Sequence, residues 1–259
     1  QSSCLYCYTN RGTIGSKSTN VEDRFGLRPM SLPRLREKDV PEMISQFADL
    51  GGRTVFICSE GEPLIDIPSF ISLAETAVSS GLNVVTYTNM LSLTPAVLRT
   101  LAAMKISLVL KLEHLDPGLN NRLINPGIPY KYVSFMGEKA PEQILWAIEA
   151  YHDQADRLAI GSMINNLNLD NLLNLRKWCY RTLGIAHFVK KLQYFGFAAK
   201  NQDQLEPDRM RMEFFERQLK HFDARFGYDY PEDVPDRYSY DIRRYLNNAT
   251  SLNGFPIRL

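Results

Sequence analysis

The chain has little cysteine, almost no net charge and no long apolar run. Four cysteines in 259 residues are too few for a disulfide framework, which points to a reducing, cytoplasmic setting. A formal net charge of +1 leaves no electrostatic footprint for nucleic acid or for an anionic membrane surface. No apolar stretch approaches the length of a membrane span, and no basic-apolar-small leader is present. Low-complexity tracts and internal repeats beyond an alternating strand–helix unit are absent. There is also no initiator Met, and the first cysteine stands only three residues in; the expectation is a chain trimmed upstream. What is present is ordinary for a soluble globular protein, with 44% hydrophobic and 23% charged residues.

Residues 10–38 are polar and read as a long loop. Asp39 looks like a helix N-cap, with Pro41 and Glu42 in the first turn; Met43, Ile44, Phe47 and Leu50 recur at helical spacing before Gly51-Gly52. Strands are then expected over 54–58, 83–87, 106–112, 158–164 and 187–195. Helices are expected over 68–80, 94–104, 141–154 and 168–183, and a longer one over 207–226. Near-continuous apolar strands alternating with amphipathic helices argue an α/β fold with a parallel sheet and helices on one or both faces. The polar residues collect after the strands, at the edge where parallel α/β sheets carry their sites. Residues 1–200 form this core, and 201–259 read as a helical and loop extension leading toward a further domain.

Cys4-Leu5-Tyr6-Cys7 has three readings. Structural zinc needs a second Cys or His pair, which neither Cys58 nor Cys179 supplies. A thioredoxin-like dithiol belongs at a helix N-terminus, whereas a polar loop follows here. An iron–sulfur cluster needs at least one more cysteine. Glu60-Gly61-Glu62-Pro63 follows the first strand, where Gly61 permits close backbone approach and Pro63 fixes the turn. A carboxylate held there can take a ligand's ammonium group. His114, His152, His187 and His221 show no metal or triad spacing and read as structural. Cys58 and Cys179 read as small core residues.

In this order, Cys4-Leu5-Tyr6-Cys7 and Gly61-Glu62-Pro63 resemble the CxxxCxxC and GGEP motifs of the radical S-adenosylmethionine (SAM) superfamily. In that register Cys4 and Cys7 match the second and third cysteines, and the first falls immediately before Gln1. Lys111-Leu112-Glu113 and the run from Asp116 to Leu123 continue the likeness. Glu60 departs from it, standing where the first Gly of GGEP would be.

The resemblance implies a parallel partial (β/α)6 barrel of the radical SAM type, its first strand missing from this chain. It implies a four-iron, four-sulfur (4Fe-4S) cluster held in part by Cys4 and Cys7, with SAM on the open iron. Reductive cleavage of SAM would give a 5′-deoxyadenosyl radical that abstracts hydrogen from a peptide or small molecule. Glu62 and the backbone near Gly61 and Pro63 would receive the SAM ammonium group, and Lys111 its carboxylate. Asn89, Glu113 or Asn165 would reach ribose hydroxyls or the carboxylate. Tyr6 and Gly196 would flank adenine. An electron donor such as flavodoxin or ferredoxin is implied as a partner. Two other readings stay open: a non-catalytic β/α scaffold that lost the cluster, and a CxxC redox or zinc module.

Overall fold

The computed structural model describes residues 37–58, 62–124, 130–194 and 196–225. Five strands make one parallel sheet in sequence order: β1 (Thr54–Ile57), β2 (Asn83–Thr88), β3 (Ser107–Lys111), β4 (Leu158–Ile164) and β5 (Ala186–Lys191). Parallel neighbours need a crossover, and helices supply it each time. Helix α1 (Val40–Asp49) precedes β1, α2 (Ile67–Ser79) follows it, and α3 (Pro95–Ala103) joins β2 to β3. Helices α4 (Pro117–Ile124) and α5 (Tyr130–Ala150) lie between β3 and β4, and α6 (Leu169–Trp178) between β4 and β5. After β5 come α7 (Gly196–Lys200), α8 (Gln202–Leu205) and α9 (Arg209–Arg225).

Local chemistry explains the ends. Thr94 caps α3 by accepting from the Val97 N–H (3.2 Å), and Asp66 caps α2 from the Ser69 N–H (3.3 Å). Asp39 stands at the start of α1 without a side-chain cap bond, because its backbone is already helical. Helix α6 runs into a π turn (Cys179–Leu183) that stops at Gly184, whose φ of +67° suits glycine.

The expected helix over 141–154 begins eleven residues earlier, with Pro141 inside it. Proline forfeits one helical hydrogen bond there, and burial of Ile144, Ala147 and Tyr151 offsets the loss. Tyr151 also donates its hydroxyl to the Ile106 carbonyl (2.8 Å), tying α5 to the start of β3.

Six of these helices pack on one face, whereas Leu123 of α4 and Leu205 of α8 form a separate small cluster beside Met163 and Tyr194. Val84, Leu108, Leu110, Leu158, Ile160 and Val189 point into a large core shared with residues of α1, α2, α3, α5, α6 and α9. The other face carries a separate cluster of Val85, Val109, Ala159, Ala186 and Phe188, with Phe56 and Tyr87 against it, built from strand residues alone among the described residues.

That second face is concave. In a flat sheet β2 and β5 would stand about 14 Å apart, at ~4.8 Å per strand. Yet the Lys190 ammonium of β5 lies 5.4 Å from the centre of the Tyr87 ring of β2. Gly161 makes room for the crossing: a Cβ there would come within 2.8 Å of Val109 and 3.1 Å of Tyr87. The sheet curls as a partial barrel, and its strand ends converge.

Candidate active site

Glu62 leaves β1 and caps a short 3-10 turn (Pro63–Ile65). Only 7% exposed, it accepts three hydrogen bonds: from the Thr88 hydroxyl (2.7 Å) and the Leu64 N–H (3.3 Å) on Oε1, and from the Asn89 N–H (2.7 Å) on Oε2. Thr88 Oγ1 in turn accepts from the Met90 N–H (3.0 Å). The carboxylate therefore braces the end of β1 to the end of β2. Burial raises its pKa above the usual carboxylate value, outweighing the lowering by those donors and by Lys111. A carboxylate offers about four acceptor sites, so one position on Oε2 remains after these bonds.

At the end of β3, Lys111 Nζ stands 3.8 Å from Glu113 Oε1. Glu113 is fully buried. Its Oε2 accepts from the Met163 N–H (2.8 Å), and its backbone N–H donates to Asn120 Oδ1 (2.9 Å). Asn168 donates to the carbonyls of Met163 (2.8 Å) and Glu113 (3.2 Å), knitting the ends of β3 and β4 together.

Asn165 spends both ends of its amide locally: Nδ2 donates to the Met163 carbonyl (3.0 Å) and Oδ1 accepts from the Leu167 N–H (3.0 Å). Asn89 Oδ1 accepts from the Leu91 N–H (3.0 Å) and shapes the turn after β2. Gly196 opens α7 after β5.

The structure thus brings Glu62, Pro63, Asn89, Lys111, Glu113 and Asn165 to one sheet edge. Cys4, Tyr6, Cys7 and Gly61 lie outside the described residues. Three contributors had weaker sequence signals. Thr88 stood beside Asn89 without a visible partner, Asn168 sat three residues past Asn165 where a helix start was expected, and Lys190 fell within a strand whose inward face only the register reveals.

Two thiols divide differently from expectation. Cys179 is buried, which pushes its pKa up, while Cys58 is exposed at the end of β1 rather than in the core. His187 is buried and hydrogen-bonds Ser162 Oγ (2.9 Å), whose hydroxyl is donated to the Leu112 carbonyl. Its Nε2 therefore carries the proton, and Nδ1 has no partner. Among the described residues, no group of three or more His, Cys, Asp or Glu residues could hold a metal ion, and no helix is long and apolar enough to cross a membrane.

The edge suits a zwitterionic ligand such as SAM. Glu62 has an acceptor position beside bound donors, and Lys111 offers a cation. Asn121 Nδ2, on α4, is buried without any partner.

The family model described as the radical SAM superfamily matches residues 1–179. Among curated proteins, none matches the chain significantly. Solved structures resemble it at low identity. The Streptococcus suis SuiB structure bound to S-adenosylmethionine shares 15% identity at a TM-score of 0.58, covering 87% of this chain and 45% of its own. SuiB bound to its precursor peptide SuiA shares 16% at 0.59, covering 87% and 44%. Native anSMEcpe with bound AdoMet shares 12% at 0.57, covering 97% and 64%. The chain spans less than half the length of these SuiB chains. At such identities the likeness establishes the fold, a parallel partial barrel.

Proposed function

Because the chain belongs to the radical SAM superfamily, we propose that it is an enzyme using that chemistry on a peptide substrate. The family uses a 4Fe-4S cluster and SAM, which when bound supply a 5′-deoxyadenosyl radical able to take a hydrogen atom from substrate. The observation that carries the reading is the family match over residues 1–179, which takes in both the Cys4–Cys7 motif and the Glu62 strand end.

In this reading Cys4 and Cys7 are thiolate ligands of the cluster. Glu62, held by its donors from β2, presents its remaining acceptor position to the SAM ammonium group, and the backbone at Gly61 and Pro63 lies alongside. Lys111 offsets the SAM carboxylate. Asn89, Glu113 and Asn165 fix the strand ends that flank the ribose, while Tyr6 and Gly196 border adenine. The walls of the concave face, Phe56, Tyr87 and Phe188, keep water from the reacting atoms.

A peptide is favoured because SuiB has been crystallised with its precursor peptide and anSMEcpe with the Kp18Cys peptide. The concave face here also offers an aromatic ring with a cation over it. A flavodoxin or ferredoxin would deliver the electron, in the cytoplasm.

Anaerobic reconstitution with iron and sulfide tests the reading. The protein should take up a 4Fe-4S cluster, lose it in Cys4→Ala and Cys7→Ala, and bind SAM more weakly in Glu62→Gln with the cluster intact. A reconstituted protein that holds zinc or no metal supports the redox, zinc or scaffold readings instead.

A further inference from the structure

On the concave face an ammonium stands over an aromatic ring. Lys190 of β5 holds its Nζ 5.4 Å from the centre of the Tyr87 ring of β2, beside the apolar walls of Phe56, Val109 and Phe188. The ring is a fixed platform: Phe56 meets it edge to face at 5.2 Å, and Gly161 leaves it the space a Cβ would take. Burial pushes the Tyr87 pKa up, so the phenol keeps its proton and does not neutralise the ammonium. Alternation along β5 sends the neighbouring Lys191 to the opposite face, where it pairs with Glu216 of α9 at 3.3 Å.

Packing alone does not call for lysine here. Methionine would cover the same ring with a flexible chain and no charge to desolvate. An ammonium against an apolar wall gains most from an anion that comes close, because the low local dielectric strengthens their attraction. Position matters too. Glu62 and Lys111, assigned above to the charged methionyl end of SAM, stand at the ends of β1 and β3, whereas Lys190 projects from β5. Glu113 is engaged on the β3–β4 side, 3.8 Å from Lys111 and bonded to the Met163 N–H.

We propose that Lys190, seated over Tyr87, is a specificity determinant that takes a carboxylate of the peptide substrate on the concave face. That role rests on the peptide-modifying reading above and narrows its substrate class to acidic peptides. The carboxylate belongs to an aspartate or glutamate side chain or to the peptide's C-terminus.

Anaerobic equilibrium dialysis of the reconstituted protein, with and without SAM, reads the preference. The probes are pools of short end-blocked peptides, randomised over uncharged residues and carrying Glu or Gln at the central position. A third pool carries Gln and a free C-terminal carboxylate. Wild type should hold a carboxylate-bearing pool roughly 10- to 100-fold more tightly than the neutral one. The glutamate pool wins if a side chain is read, and the free-terminus pool if the C-terminus is. Lys190→Met should lose that preference and Lys190→Arg should keep most of it, with thermal unfolding showing that each variant is folded. Should Lys190→Met fail to fold, Lys190→Gln carries the same comparison.

Equal retention of all three pools by wild type, or of none, overturns the proposal, Lys190 then serving only as a cross-tie between β2 and β5. A preference that survives in a folded Lys190→Met or Lys190→Gln protein is equally fatal. Release of 5′-deoxyadenosine after adding reductant separates the two readings. Protein that cleaves SAM but retains the pools alike defeats the carboxylate site alone. Protein that neither binds nor cleaves SAM, while Lys190 still selects an acidic pool, defeats the SAM-dependent reading alone.

Discussion

Replacing Thr88 by valine tests the brace between the ends of β1 and β2. The residue is 1% exposed, and its hydroxyl serves twice, donating to Glu62 Oε1 (2.7 Å) and accepting from the Met90 N–H (3.0 Å). Valine keeps the shape and removes both bonds. A hydrogen bond to a buried carboxylate contributes about 1.5–3 kcal/mol, and a buried N–H left bare costs about 1–3 kcal/mol. Better burial of the added methyl returns roughly 1 kcal/mol, so a net loss of about 1.5–5 kcal/mol follows. Met90 sharpens the effect, because its φ of +70° is a conformation that a side chain resists and this bond helps hold.

Urea unfolding of the ligand-free protein reads the loss directly. Thr88→Ser, which keeps the hydroxyl and drops a methyl, should lose only about 1 kcal/mol. In a Glu62→Gln background the Thr88→Val penalty should shrink by about 1–2 kcal/mol, the coupling expected of groups in one network. Valine and serine variants of equal stability, or full additivity with Glu62→Gln, would refute the brace.

Arg176 and Asp223 form a buried ion pair at 2.7 Å that joins α6 to α9, with Arg176 also donating to the His187 carbonyl. Arg176→Met should cost about 3–5 kcal/mol by stranding the Asp223 charge, and Arg176→Met combined with Asp223→Leu should recover most of it, as urea midpoints will report. His187, fully buried beside Arg176, has its pKa held well below the usual histidine value, first by burial and then by that charge. A depressed folded pKa means the stability is fully present above about pH 6.5 and is lost as pH falls from there toward the folded value. The loss is about 1.4 kcal/mol per pH unit, and the difference between wild type and His187→Gln across pH 7 to 5 isolates it from His114, which is lowered in the same direction. Gly161→Ala should destabilise by roughly 1–3 kcal/mol through its clash with Val109, and a Val109→Ala background should relieve most of that in the same assay.

Strand order and helix alternation were legible because apolar runs such as 158–164 stand between clear stops; that strand matches the expectation end to end. Helix α4 was not read. Pro117-Gly118 and Asn120-Asn121 are poor helix formers, and the segment folds because Asn120, Leu123 and Ile124 find partners in the surrounding structure. The strand over 187–195 ends early, at Lys191, because the apolar run there is interrupted by two lysines and the chain turns toward α7. Glu62 was found from its motif, yet its bonds to Thr88 and Asn89 join residues 26 and 27 positions apart, and no local pattern encodes such a pairing. Cys58 looked like core because its strand is apolar; one residue past the strand end, it is exposed instead. The concavity that places Lys190 over Tyr87 depends on curvature and register, which a one-dimensional pattern leaves open.

The central claim is tested most directly by incubating the anaerobically reconstituted protein with SAM and a low-potential reductant and measuring 5′-deoxyadenosine. The account predicts that 5′-deoxyadenosine and methionine form in wild type and that neither forms above background in Cys4→Ala or Cys7→Ala. A protein that carries an intact 4Fe-4S cluster and binds SAM, yet releases no 5′-deoxyadenosine with reductant and candidate peptides present, would contradict it.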